Sequence, residues 1–231
     1  MSGLTARATV RVRGKAFRDP DSPVVRAVPR GLRERWRLVP PPPGERRIEI
    51  GSGLRPTPGY IHVEPSPGLP EVHFPTTGDD IPLGREWADE ILSVHMIEHV
   101  PAAHVQTVLR RWHNLLRRGG TLVLHTPNAD ALCDVISSYD AVPHEVWWAA
   151  QAALFGYNRA PDKAKTPREL GTFADHALGL TWGALRDLLE EAGFADVRNV
   201  TGTLDCDHQR DWAKVVPNLC LEVSAVATGA R

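Results

Sequence analysis

Cysteine is scarce in this chain: Cys133, Cys206 and Cys220 are the only three, widely spaced and odd in number. That excludes a disulfide framework and a Cys-x-x-Cys zinc pattern, so the thiols are expected to be small core residues in a reducing compartment. Long apolar runs are missing as well. No stretch approaches the ~20 residues needed to span a bilayer, and the polar, Arg-bearing N-terminus has no signal-peptide core. A cytoplasmic protein with no membrane partner is therefore expected. Excess charge of either sign is also absent. The formal net charge of −1 gives no general attraction to nucleic acid, which is disfavoured as a partner. What is present is ordinary: 231 residues with 42% hydrophobic content can bury one good core, with room for a lid or tail.

The chain divides by composition. Residues 1 to about 45 are rich in Arg, Pro and polar residues and end in Pro40-Pro41-Pro42-Pro43-Gly44, which predicts an extended arm and linker. Arg30, Arg33, Arg35 and Arg37 could grip an anionic partner, and Trp36 and Leu38 suit a surface contact. From Arg47 onward, strand-like runs at 47–50, 60–64, 90–95, 121–126, 195–202 and 219–227 alternate with helical patterns. The last run alternates cleanly, with Leu219, Leu221, Val223, Ala225 and Ala227 on one face and Cys220, Glu222 and Ser224 on the other. Pro101 suits a first helical turn; Val105, Val108, Leu109, Trp112, Leu115 and Leu116 mark the helix face, and Gly119-Gly120 is expected to cap its end. A further helix runs from about Thr181 to Gly193. Strands alternating with helices predict an α/β fold with an open, mostly parallel, doubly wound sheet, whose ligands bind beyond the C-terminal strand ends.

At those ends lie the residues with chemistry. The segment Ile48-Glu49-Ile50-Gly51-Ser52-Gly53 sets an acid and a Gly-x-Gly turn at the end of one strand, and Glu64 ends the next. Glycines let the backbone approach a ligand, and a carboxylate accepts hydrogen bonds from both ribose hydroxyls. A dinucleotide would need a third glycine and a helix N-terminus for its pyrophosphate, yet Pro56 stands there with Pro58 behind it. A nucleoside without phosphates fits better, and S-adenosylmethionine is the candidate cofactor. Further on come Asp79-Asp80-Ile81-Pro82-Leu83, then His95-Met96-Ile97-Glu98-His99, Arg118-Gly119-Gly120 and His125-Thr126-Pro127-Asn128.

With these motifs in this order, residues 46 to about 227 resemble the class I S-adenosylmethionine-dependent methyltransferases, and within them small methyltransferases of the type 11-like kind. The resemblance implies a Rossmann-like, seven-stranded sheet with an antiparallel last strand and a helical lid inserted at about 129–180. It implies methyl transfer to an oxygen or nitrogen of a small-molecule acceptor, chiefly by proximity, with an optional histidine base. Glu49, Gly51, Ser52, Gly53, Glu64, Asp79, Asp80 and His95 are the expected cofactor contacts. Adenine recognition departs from the family, because Thr76 and Thr77 occupy the slot where its acid usually lies. His95, Glu98, His99, His125 and His176 are the catalytic candidates, and Asn128, Trp147, Trp148 and His176 the acceptor contacts. His95-x-x-Glu98-His99 also has the spacing of an inverted zinc-protease motif, but the strand before it and Pro101 after it deny the long helix a protease needs, and no metal is expected. Two alternatives stay open: a non-catalytic cofactor-binding regulatory module, and a nucleotide-dependent oxidoreductase on a similar sheet. The oligomeric state, a homo-oligomer included, is undetermined.

Overall fold

The structure is a computed structural model that describes residues 9–12, 15–18, 44–53, 55–65, 69, 71–156, 176–202 and 218–229. Within the arm, β1 (Thr9–Val12) and β2 (Lys15–Arg18) pair antiparallel as a separate two-stranded sheet. The arginines at 30–37, Trp36, Leu38, Tyr157, Asp175 and Cys206 lie outside the described residues.

The main sheet contains β3 (Arg47–Ile50), β4 (Ile61–Val63), β5 (Ala88–Val94), β6 (Leu116–Pro127), β7 (Phe194–Asn199) and β8 (Cys220–Ala227), in the spatial order β4-β3-β5-β6-β8-β7. The first four run parallel, and β8 is antiparallel to both β6 and β7. This is the expected mixed, Rossmann-like α/β sheet with an antiparallel last strand. The expected strand count needs correction: the described residues give six strands in this sheet, not seven. Beyond β4, the described residues add only an isolated parallel bridge between Val63 and Phe74. Pro65, Pro70 and Pro75 crowd that stretch, and proline cannot donate to a ladder, so pairing stops at one rung.

The helices are α1 (Ala102–Leu115), α2 (Ala129–Ser137), α3 (His144–Phe155) and α4 (Trp182–Ala192). α1 buries Val105, Val108, Leu109, Trp112 and Leu115, the face its periodicity predicts. α4 starts at an N-cap, where Thr181 Oγ1 accepts from Ala184 N–H at 3.2 Å, and ends at Gly193 with φ +107°. Gly119-Gly120 does not cap α1. That helix ends at Leu116, whose backbone is already extended, and the glycine pair lies within β6. A Cβ on Gly120 would come within 2.9 Å of Arg117 O and 3.1 Å of Asp89 O, so close backbone packing is what demands glycine there.

The main apolar core lies between the sheet and its helices, with Ile48, Ile50, Ile61, Ile91, Leu122, Leu124, Trp112 and Leu189 fully buried, and a smaller cluster joins Leu132 of α2, Ala150 of α3 and Leu219. β8 departs from simple alternation: Glu222 and Cys220 are buried as well as the apolar face, Glu222 accepting from Gly202 N–H at 3.1 Å and Cys220 Sγ meeting His95 Nε2 at 3.0 Å. Cys133 is exposed on α2, contrary to the expected core role.

Candidate functional site

Because β3, β4 and β5 are parallel, Gly51, Glu64 and His95 leave the sheet at the same edge. They line one cavity of about 390 Å³, together with Gly53, Thr76, Thr77, Asp79, Met96, His99 and His104. That volume is in the range of small-molecule sites.

Two glycines shape the floor. Gly51 has φ +78°, and a Cβ there would meet Met96 Cγ at 2.7 Å. At Gly78 a Cβ would meet Met96 Cε at 2.9 Å and Ile50 Cγ2 at 3.0 Å. Met96 thus wedges between two backbone turns that only glycine accommodates. The loop carrying Gly78 is pinned from α1: Trp112 Nε1 donates to Gly78 O at 2.9 Å, and Arg111 donates to Ile81 O and Leu83 O.

Glu64, nearly buried, lines the cavity and accepts from Gly53 N–H at 3.1 Å through Oε2. Ser52 is buried, and its Oγ has no hydrogen-bond partner among the described residues. Glu49 faces away from the cavity wall. Its carboxylate accepts from Thr57 N–H at 2.7 Å and Thr57 Oγ1 at 2.8 Å, with His62 Nε2 at 3.5 Å, and so ties the Gly51–Thr57 loop to β3. Burial raises the Glu49 pKa, against the hydrogen bonds from Thr57. Asp79 lines the cavity, whereas Asp80 is exposed and offers its backbone O to Thr76 Oγ1.

The other side is built on β5, β6 and β8. His95 adopts φ +51°, a left-handed conformation rare outside glycine, which turns the chain out of β5 into a 3₁₀ turn at Ile97–His99. Its backbone N–H donates to His125 O at 3.0 Å. Both ring nitrogens are engaged, Nδ1 with Glu98 Oε1 at 3.2 Å and Nε2 with Cys220 Sγ at 3.0 Å. Burial disfavours a charged ring, but the bonds to Cys220 and Glu98 outweigh it and push His95 up to about 10. Glu98 is fully buried. Burial alone would raise its pKa, but the His95 bond and the neighbouring His99 hold it below the usual carboxylate range. Its Oε2 accepts from Thr126 Oγ1 at 3.3 Å.

His176 arrives from a distant part of the chain. Ala177 N–H and Leu178 N–H both donate to Glu98 O, at 2.7 and 3.1 Å, which brings His176 Nε2 to 4.0 Å from Glu98 Oε1. The His176 and His99 rings meet edge to face at 4.8 Å. Burial lowers the His176 pKa.

Several sequence candidates lie apart from this cavity wall. His125 is buried in β6, and Asn128 donates from Nδ2 to Asn218 O. Trp147 donates to Ile136 O and Trp148 to His144 Nε2, and their rings stack edge to face at 5.0 Å. Neither tryptophan lines the cavity. Met96, His104, Cys220, Thr126 and the Thr57–His62 pair escaped sequence reasoning. Only Gly78 left a signal, as a glycine just before two acids.

No protein-family model matches the chain, and no curated protein matches it. Solved structures do. A S-adenosylmethionine-dependent methyltransferase from Thermotoga maritima is 18% identical with a TM-score of 0.49, over 80% of this chain and 83% of that one. A S-adenosylmethionine-dependent methyltransferase from Mesorhizobium loti is 17% identical with a TM-score of 0.46, over 90% and 98%. The 1,6-didemethyltoxoflavin-N1-methyltransferase of Burkholderia thailandensis, solved with its substrate and S-adenosylhomocysteine, is 18% identical with a TM-score of 0.47, over 79% and 70%.

Proposed function

We propose that the cavity binds S-adenosylmethionine and that the chain is a methyltransferase acting on an oxygen or nitrogen of a small organic acceptor. The carrying observation is that the Gly51–Gly53 turn, Glu64 and Asp79, far apart in sequence, line one cavity whose floor excludes a Cβ at Gly51. The chemistry of that wall suits the cofactor. Glycine backbone accommodates its amino-acid portion, with the buried Ser52 Oγ nearby in search of a partner; the Glu64 carboxylate suits a ribose diol, and Thr76, Thr77 and Asp79 supply polar groups for adenine. A diphosphate finds no equivalent. Among the described residues no helix lies between Gly51 and β4, so the usual cradle for a pyrophosphate is missing.

The bound sulfonium would supply an electrophilic methyl group. The protein's own task is to hold the acceptor in line with it and exclude water. A base is needed only when the acceptor keeps its proton. His95 cannot take that proton as placed, since both its nitrogens are bonded; it positions Glu98 and Cys220 instead. His99 and His104 line the cavity and are the histidines placed to take it.

Calorimetry with S-adenosylhomocysteine tests the binding. Wild type is expected to bind, and Glu64→Ala to bind roughly 10- to 100-fold more weakly, as loss of charge-assisted hydrogen bonds implies. Absence of heat with wild type would overturn the proposal. Methyl-labelled cofactor with a fractionated small-molecule extract then tests transfer, and binding without any labelled product would leave a regulatory module instead.

A further inference from the structure

We infer that Glu98, His99 and His176 form a binding site for a divalent transition-metal ion of the zinc class, at the wall of the cavity. The inference stands on side-chain geometry and is independent of the methyl-transfer proposal. One ligand atom from each residue can be chosen so that all lie within 4.8 Å of one another. Tetrahedral coordination with metal–ligand bonds of about 2.1 Å places ligand atoms about 3.4 Å apart, so the set need contract by no more than about 1.4 Å to hold an ion. The backbone is already in place: the two bonds from Ala177 and Leu178 to the Glu98 carbonyl hold the His176 segment against the 3₁₀ turn.

The surroundings favour a ligand set over an incidental cluster. The Glu98 side chain is 1% exposed and the His176 side chain 8%, so water competes little for either ligand group. Glu98 Oε1 carries lone pairs enough to serve His95 and an ion together. The His95 ring and the Thr126 hydroxyl would then orient the carboxylate from behind, the arrangement by which outer partners tune metal ligands. Two imidazole nitrogens with one carboxylate oxygen suit zinc and its first-row neighbours rather than magnesium or calcium, which prefer all-oxygen sites. His99 lines the cavity, so remaining coordination positions would open toward a bound molecule. The spacing His95-x-x-Glu98-His99 does not describe this site. His95 has spent both nitrogens on Glu98 and Cys220, and His176 takes the third position. A cation held here also removes His99 and His176 from service as proton acceptors.

The test uses the untagged full chain, stripped with a chelator and re-equilibrated with zinc sulfate. Mass-spectrometric metal analysis after gel filtration should find about one zinc per chain. In competition with a zinc-sensitive dye, His99→Ala and His176→Ala should each weaken binding by at least ~100-fold, the upper end of what losing even a supporting partner costs. His144→Ala, exposed on α3, should bind like wild type. Wild type that takes up no zinc overturns the proposal, and that arm needs no variant to fold. Folded His99→Ala and His176→Ala proteins that keep wild-type affinity overturn it as well, by placing the metal elsewhere.

Discussion

Glu49 and Glu98 are both buried carboxylates beside histidines, and their pKa values shift in opposite directions although burial pushes both upward. Glu49, at the end of β3, meets neutral donors on Thr57 and a His62 nitrogen 3.5 Å away, and desolvation raises its pKa. Glu98, in the turn after β5, meets the His95 ring at 3.2 Å with a second imidazole close by, and its pKa falls despite deeper burial. Burial is common to both, so it cannot set the sign. The charge on the donor does. At the same edge of the sheet, β3 therefore carries a carboxylate that staples a loop, and the turn after β5 carries one that concentrates charge beside the cavity.

The sharpest way to break this comparison is to neutralise each acid. In chelator-treated protein, Glu98→Gln should lose about 3 kcal/mol of stability in urea unfolding, since it removes one member of a buried charged pair. The same change at Glu49 should cost about 1 kcal/mol or less, because a neutral group there avoids the desolvation that raises the native pKa. Equal losses at the two positions would refute the donor-charge account.

Between these in size is Gly51→Val. It forces a side chain onto a φ of +78° and into Met96, so a loss of about 2 kcal/mol is expected, together with loss of S-adenosylhomocysteine binding in calorimetry. Binding that survives the substitution would dissociate the glycine turn from the cofactor.

A further way to break the comparison is pH. His95, raised to about 10 from 6.5, keeps in the folded state a proton that the unfolded chain releases. Its contribution is complete below pH 6.5 and is lost as pH rises through 10. His73 belongs to the Glu49 end. Burial and the nearby His62 lower it to about 4 from 6.5, and its Nδ1 accepts from His62 N–H at 2.9 Å. Its effect runs the other way: stability is undiminished above pH 6.5 and falls as pH drops toward 4. Thermal melts across pH should show both limbs, with His95→Gln flattening the alkaline one alone. An alkaline limb unchanged in His95→Gln would mean the ring is neutral in the native protein.

Much of the fold was legible in the chain. The alternation of strands and helices, the α1 stripe, the Thr181 cap and the Gly193 stop are local signals that match their elements, although the strand expected at 121–126 begins at Leu116 and the one expected at 195–202 ends at Asn199. The lost seventh strand was legible in part, because the prolines that restrict it to a Val63–Phe74 bridge stand in the sequence. The role of Gly119-Gly120 was not, since a glycine pair looks alike whether it caps a helix or relieves a close approach between strands. At the site, Gly51, Gly53, Glu64, Asp79, His95 and His99 share the cavity because parallel strands deliver their C-terminal ends to one edge. Trp147, Trp148 and Asn128 were grouped with them by sequence position alone, and their packing lies elsewhere.

The sequence by itself determined the glycine turn with its two acids, the proline where a phosphate cradle would need glycine, and the succession of strands and helices along the chain, because these depend on residue type and short spacing. Only the tertiary structure decided what each carboxylate faces. Met96 between two glycines, Cys220 on His95, and His176 beside Glu98 join positions with no regular spacing along the chain. Ionisation and ligand geometry follow from such contacts across elements, which no local pattern encodes.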